Sequence, residues 1–165
     1  MFQNCTSLTT APNLPATTLA DSCYYQMFMG CSSLTNAPEL PATTMSDYCC
    51  YFMFYDCTSL TTVPTVLPAT TLAIRCYASM FTNCTSLTTA PELPATTLVN
   101  GCYRQMFTGC SSLNSIKIAY TGNIDSTYFT NWVNGVSSTG TFYYNGSDTT
   151  TGASAIPTGW NVQTF

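Results

Sequence analysis

The sequence predicts a right-handed α/β solenoid, with short parallel strands along one side, short helices along the other and a C-terminal cap. Three observations carry this expectation. Met-Phe recurs at Met1-Phe2, Met27-Phe28, Met53-Phe54, Met80-Phe81 and Met106-Phe107, a period of 26 residues broken once by a single inserted residue. A period of that length marks units that bury their apolar faces only by stacking on their neighbours. Before each later Met-Phe pair, apolar residues fall four apart, as in Leu19/Cys23/Met27, Met45/Cys49/Met53, Leu72/Cys76/Met80 and Leu98/Cys102/Met106. After each pair comes one phrase, written in the second unit as Cys31-Ser-Ser-Leu34-Thr-Asn-Ala-Pro38-Glu-Leu40-Pro-Ala-Thr-Thr44.

The spacing by four predicts a short helix with one apolar face. Thr18 and Thr44 stand at its N-cap, with Asp21 and Asp47 three residues on, as in a capping box. Two residues after each Phe sit Asn4, Gly30, Asp56, Asn83 and Gly109. These types tolerate the left-handed conformation that closes a helix, so a helix end is expected at each. Beyond the stop, residues such as Leu34, Ala37 and Leu40 read as a short extended segment, and Leu113-Asn-Ser-Ile116-Lys-Ile118 is the plainest strand. Pro38, Pro64 and Pro91 keep these strands short, because proline cannot donate to a ladder. The insertion sits at Thr65-Val66, where the second unit has Glu39 alone, and is expected in a loop that tolerates length.

Phe-x-x-Cys-Ser-Ser-Leu behind a short helix resembles the BspA-like leucine-rich repeat, whose usual unit reads Ala-Phe-x-x-Cys-x-x-Leu-x-x-Ile-x-Ile-Pro. Here Met stands for the Ala, Cys23 and its equivalents for an Ile, and Ala-Pro for most of the Ile-x-Ile. The resemblance covers residues 1 to about 119. It implies the leucine-rich-repeat-like solenoid and a place on surfaces of gut and oral bacteria or in some parasites, and it assigns no ligand. The C-terminal string Trp132-Val-Asn-Gly-Val136 to Ile156-Pro-Thr-Gly-Trp160 separately resembles a terminal module of repeat proteins from gut bacteria and their phages.

Residues 1-119 are therefore expected to form the solenoid, with an incomplete first unit, and residues 120-165 a C-terminal capping segment. In the latter, Ser126 to Asn134 reads as one more helix, Thr141-Phe-Tyr-Tyr144 as a strand and Asn145-Gly146 as a turn. Both tryptophans, Trp132 and Trp160, lie there. Met1 falls inside a unit with no charged and apolar leader ahead of it, so no signal peptide is expected.

Composition removes several function classes. Arg75, Arg104 and Lys117 are the only cations in 165 residues of net charge −4, too few to track a phosphate backbone. No apolar run approaches the ~20 residues of a membrane span. Histidine is absent, and so are nucleophile-elbow and phosphate-loop glycine motifs. Glu39 and Glu92, two units apart, would lie about 10 Å from one another, better read as a solvated rim than as an acid/base pair.

The ten cysteines form two rows, Cys23, Cys49, Cys76, Cys102 and Cys5, Cys31, Cys57, Cys84, Cys110, plus Cys50. Within a unit the rows are about 12 Å apart along a helix, beyond disulfide reach, and between units stacked side chains point the same way. They are expected to be free, buried thiols holding no metal, with Cys50 the most open to alkylation. Thr9, Thr35, Thr61 and Thr88, flanked by Thr10, Asn36, Thr62 and Thr89, make a row of hydrogen-bonding groups and the candidate binding face. The function expected is a non-enzymatic, cofactor-free binding or adhesion module for a protein or glycan at a cell surface. The alternative is a structural part, a phage virion component or a fibre of copies stacked end to end.

Overall fold

The computed structural model describes residues 2–165. Met1, with its share of the first Met-Phe pair, lies outside them. The strand–helix solenoid does not form. Among the described residues the one α-helix is α1, Ser126–Phe129, and the only strands of more than one bridge are β1, Ser115–Lys117, β2, Thr141–Tyr143, and β3, Asn161–Gln163. The three strands make one parallel sheet in the order β1-β2-β3. The leucine-rich-repeat architecture is thus corrected, and the adhesin and virion roles that came with it find no support in this fold.

The segments expected to be helices are trains of tight turns. From Cys23 to Cys31, alternate amides bond three residues back, as in Tyr25 to Ser22 and Met27 to Tyr24, both at 3.1 Å. The intervening amides leave the unit altogether. Ser22, Tyr24, Gln26, Phe28 and Gly30 donate to the carbonyls of Asp47, Cys49, Tyr51, Met53 and Tyr55, at 2.8–3.0 Å. The same alternation continues from Tyr48–Asp56 onto the following unit, and from Arg75–Asn83 and Gly101–Gly109 onto theirs.

Every fourth residue of each train is left-handed: Ser22, Gln26 and Gly30; Tyr48, Phe52 and Asp56; Arg75, Ser79 and Asn83; Gly101, Gln105 and Gly109. Asn4, Gly30, Asp56, Asn83 and Gly109 do adopt the conformation read from their types, with φ between 59° and 74°. They end no helix. At Gly109 glycine is required twice over, because φ is +74° and the Asn83 carboxamide occupies the space a Cβ would take.

The packing explains why helices lose. Phe2, Phe28, Phe54, Phe81 and Phe107 stack in one column, with centroids 5.4–5.8 Å apart and planes within 10°. Helices are about 10 Å wide and pack 8–10 Å apart, so helical units could not bring these rings together. A spacing near that of hydrogen-bonded strands can. The expected capping boxes fail for the same reason: Asp21 and Asp47 turn their carboxylates to the next unit, accepting from the amides of Asp47 and Ile74 at 3.1 and 2.9 Å.

The expected strands shrink to single bridges, Thr10 to Asn36, Asn36 to Thr62 and Thr89 to Ser115. Pro12, Pro38, Pro64 and Pro91 each follow within two residues and carry no N–H. Lys117 replaces that proline in the last unit, and there a three-residue strand forms. Its inner residue Ile116 is buried, as is Phe142 of β2, while Ser115 and Lys117 face out beside Thr141 and Tyr143.

The segment after β1 closes the ring column. Trp132 lies 6.1 Å from Phe107 at 53°, and its indole N–H donates to the Ala155 carbonyl at 2.8 Å inside the core. The helix expected over Ser126 to Asn134 stops after one turn, and Asn131, at φ 52°, resumes the turn train.

The Phe28, Phe54, Phe81 and Phe107 rings are fully buried, and removing one leaves neighbours that cannot close the gap across fixed hydrogen bonds. Phe81→Ala is expected to lower unfolding free energy by about 3–5 kcal/mol, measured by urea denaturation, against under about 1.5 kcal/mol for the volume-conserving Leu87→Met.

Candidate functional site

The expected threonine face is exposed throughout: Thr9, Thr10, Thr35, Asn36, Thr61, Thr62, Thr88 and Thr89 all reach solvent. The ladder draws on part of their capacity, since the Thr35 and Thr61 hydroxyls each donate 3.3 Å back to the carbonyl one unit earlier. The second row runs further than expected. Thr89 bridges to Ser115, which pairs with Thr141, which pairs with Asn161.

One step of this row is missing. Among the described residues no bridge joins Thr62 to Thr89. The contact between those units instead moves three to four residues along, where Val66 bridges to Glu92 and the Glu92 amide donates to the Thr65 carbonyl at 2.9 Å. The extra residue at Thr65-Val66 causes the shift. A half-open groove of about 580 Å³ lies there, bordered by Thr61, Thr62, Thr65 and Thr89 from the two units and by Ser115 of β1. The inserted residue therefore does not vanish into a tolerant loop; it borders this groove.

The groove's other wall comes from the C-terminal segment. Lys117, Tyr143 and Phe165 line it. Lys117 Nζ reaches Glu92 Oε1 at 3.0 Å and sits 4.4 Å from the centre of the Phe165 ring. Phe165 is held by Asn145, whose side-chain amide both donates to the Phe165 carbonyl and accepts from its N–H, each at 3.0 Å. The pair is half-exposed, so its net contribution to stability is small, about 0–1 kcal/mol. Its effect is positional: it fixes one charge of each sign and one aromatic ring around hydroxyls. Glu92 is ion-paired with Lys117, and Glu39 is exposed on another unit.

The thiols are structural. All ten are free, eight of them buried. Cys31, Cys57, Cys84 and Cys110 donate S–H, at 2.9–3.2 Å, to the carbonyls of Phe2, Phe28, Phe54 and Phe81 one unit back. Cysteine thus fills a narrow column and gives each Phe carbonyl a second partner. Cys50 is corrected: it is wholly enclosed, and the neighbouring Cys49 thiol and burial push its own thiol well up. Cys5 is the exposed one. Among the described residues no group of Cys, Asp or Glu could hold a metal ion, and no helix is long and apolar enough to cross a membrane.

No family model, curated protein or solved structure matches the chain.

Burial pushes Cys57 and Cys110 up to about 12 and Cys102 up to about 11, from an ordinary 9.0. The unfolded chain therefore loses these protons first as pH rises. The stabilisation is full below pH 9 and is lost as pH climbs toward 12. Titrated with a thiol reagent present, the protein is expected to react at Cys5 throughout and at the buried eight only as circular dichroism reports opening above pH 9. Early reaction at Cys50 would contradict this assignment.

Proposed function

We propose that the chain is a non-enzymatic binding module whose groove takes a neutral oligosaccharide. One observation carries the reading: a half-open groove of about 580 Å³ sets hydroxyls, an ion pair and aromatic rings around the same space. A sugar ring offers apolar C–H faces that pack on aromatic rings, and hydroxyls that both donate and accept. Phe165 is 54 % exposed, so much of its ring is free despite Lys117 over one part. Threonine and serine hydroxyls can reverse their donor and acceptor roles to suit a sugar, and Glu92 and Lys117 supply one firm acceptor and one firm donor. A site of this size with few convergent polar groups suits a small ligand better than a flat protein surface.

The absence of histidine and the ion pairing of Glu92 support binding without chemistry. The test is calorimetry of the chain against a panel of neutral oligosaccharides. Binding by the wild type, weakened about fivefold or more in Phe165→Ala and in Thr89→Val, is the expected result. A panel that yields no binder, or binding indifferent to both changes, would refute the groove as a glycan site.

A further inference from the structure

The other two cations of the chain, Arg75 and Arg104, lie on the opposite kind of surface, among the turn trains. Both line a polar pocket of about 260 Å³, together with Asn100, Ser126, Thr127 and Thr130. They come from successive units, and Gly101 brings them together. Its column holds Ser22, Tyr48 and Arg75 in the earlier units. With no side chain at 101, the Arg75 stem lies over the next unit, its Cγ 3.1 Å from where a Cβ would stand. On its other side the Arg75 guanidinium carbon is 6.0 Å from the centre of the Tyr48 ring, which helps to hold its plane.

Two permanent positive charges lining one pocket repel each other unless something negative lies between them. The chain has an excess of acids, yet among the described residues neither guanidinium has a carboxylate within 4.0 Å; the ion pair present belongs to Lys117 and Glu92. The nearest carboxylates along the chain are engaged by backbone amides: Asp125 accepts from Thr127 at 2.7 Å and Asp47 from Ile74 at 2.9 Å. Half-buried arginines from two units, beside serine and threonine hydroxyls and an asparagine amide, make a donor set for a tetrahedral oxyanion.

We propose that the Arg75–Arg104 pocket binds one sulfate or phosphate group, carried on a larger molecule as its ester. The site is separate from the groove and does not depend on the oligosaccharide reading. A sulfate ester on a sugar and a phosphate ester offer the same chemistry, and the probes below tell them apart.

The experiment is thermal unfolding and calorimetry with sodium sulfate, inorganic phosphate, a sulfated disaccharide and a sugar phosphate, each against sodium chloride at matched ionic strength. The expected result is saturable binding of at least one oxyanion. It should fall about 10–100-fold in Arg75→Gln and in Arg104→Gln, which remove a charged hydrogen-bonding partner. Arg104→Lys should recover part of the loss, and Asp125→Asn should tighten binding. Preference for the sulfated disaccharide or the sugar phosphate identifies the source. No response beyond that to chloride, or a response that survives both arginine changes in folded protein, would overturn the proposal. Circular dichroism of each variant confirms folding, and Arg104→Lys keeps the test decisive if a glutamine variant unfolds.

Discussion

The distance between stacked phenylalanine rings constrains everything else in this molecule. At 5.4–5.8 Å it is too short for helices side by side, so the backbone behind the rings has to be thin. A turn train meets that need. It sends half its amides to the next unit and keeps the rest within its own turns, so one segment is bonded along its length and sideways together. The cost lies in the left-handed residues, every fourth in a train, several of them neither Gly nor Asn. Phe52, Tyr48 and Arg75 adopt a conformation that disfavours L side chains by roughly 1–2 kcal/mol each. Burial of the adjoining Phe and Met side chains, about 1.5–3 kcal/mol each, offsets it.

The same thinness accounts for the cysteines. A column running beside the phenylalanines has room for a small apolar residue, and each Phe carbonyl already accepts one turn amide. A thiol adds a weak second donor without the desolvation cost of a hydroxyl. Four of the ten free thiols thereby find a structural use.

Much of this was legible in the residues, and the part that was not has a physical cause. The period, the apolar faces and the left-handed positions at Asn4, Gly30, Asp56, Asn83 and Gly109 could all be read directly. The helix could not be excluded, because a turn train with a four-residue repeat aligns Leu72, Cys76 and Met80 on one face just as a helix does. The signal against it lay in Tyr48, Phe52, Ser79 and Gln105, residue types that announce nothing about a positive φ. The threonine face was legible as an exposed row. Its groove was not, because the insertion at Thr65-Val66 looked like slack while it moved the pairing by three to four residues. Phe165 and Lys117 are far apart in sequence, and the parallel pairing of β1 with β2 and of β2 with β3, together with Asn145, brings them to one wall. Arg75 and Arg104 were visible as two of three cations, but their meeting depends on Gly101.

The segments before each Met-Phe bond across units. Scalar couplings through hydrogen bonds, measured by NMR between amide nitrogens and carbonyl carbons, test this at single bonds. The Phe81 amide is expected to couple to the Met106 carbonyl and the Tyr77 amide to that of Cys102. Coupling of Phe81 to the Tyr77 carbonyl, four residues back as in an α-helix, would contradict it.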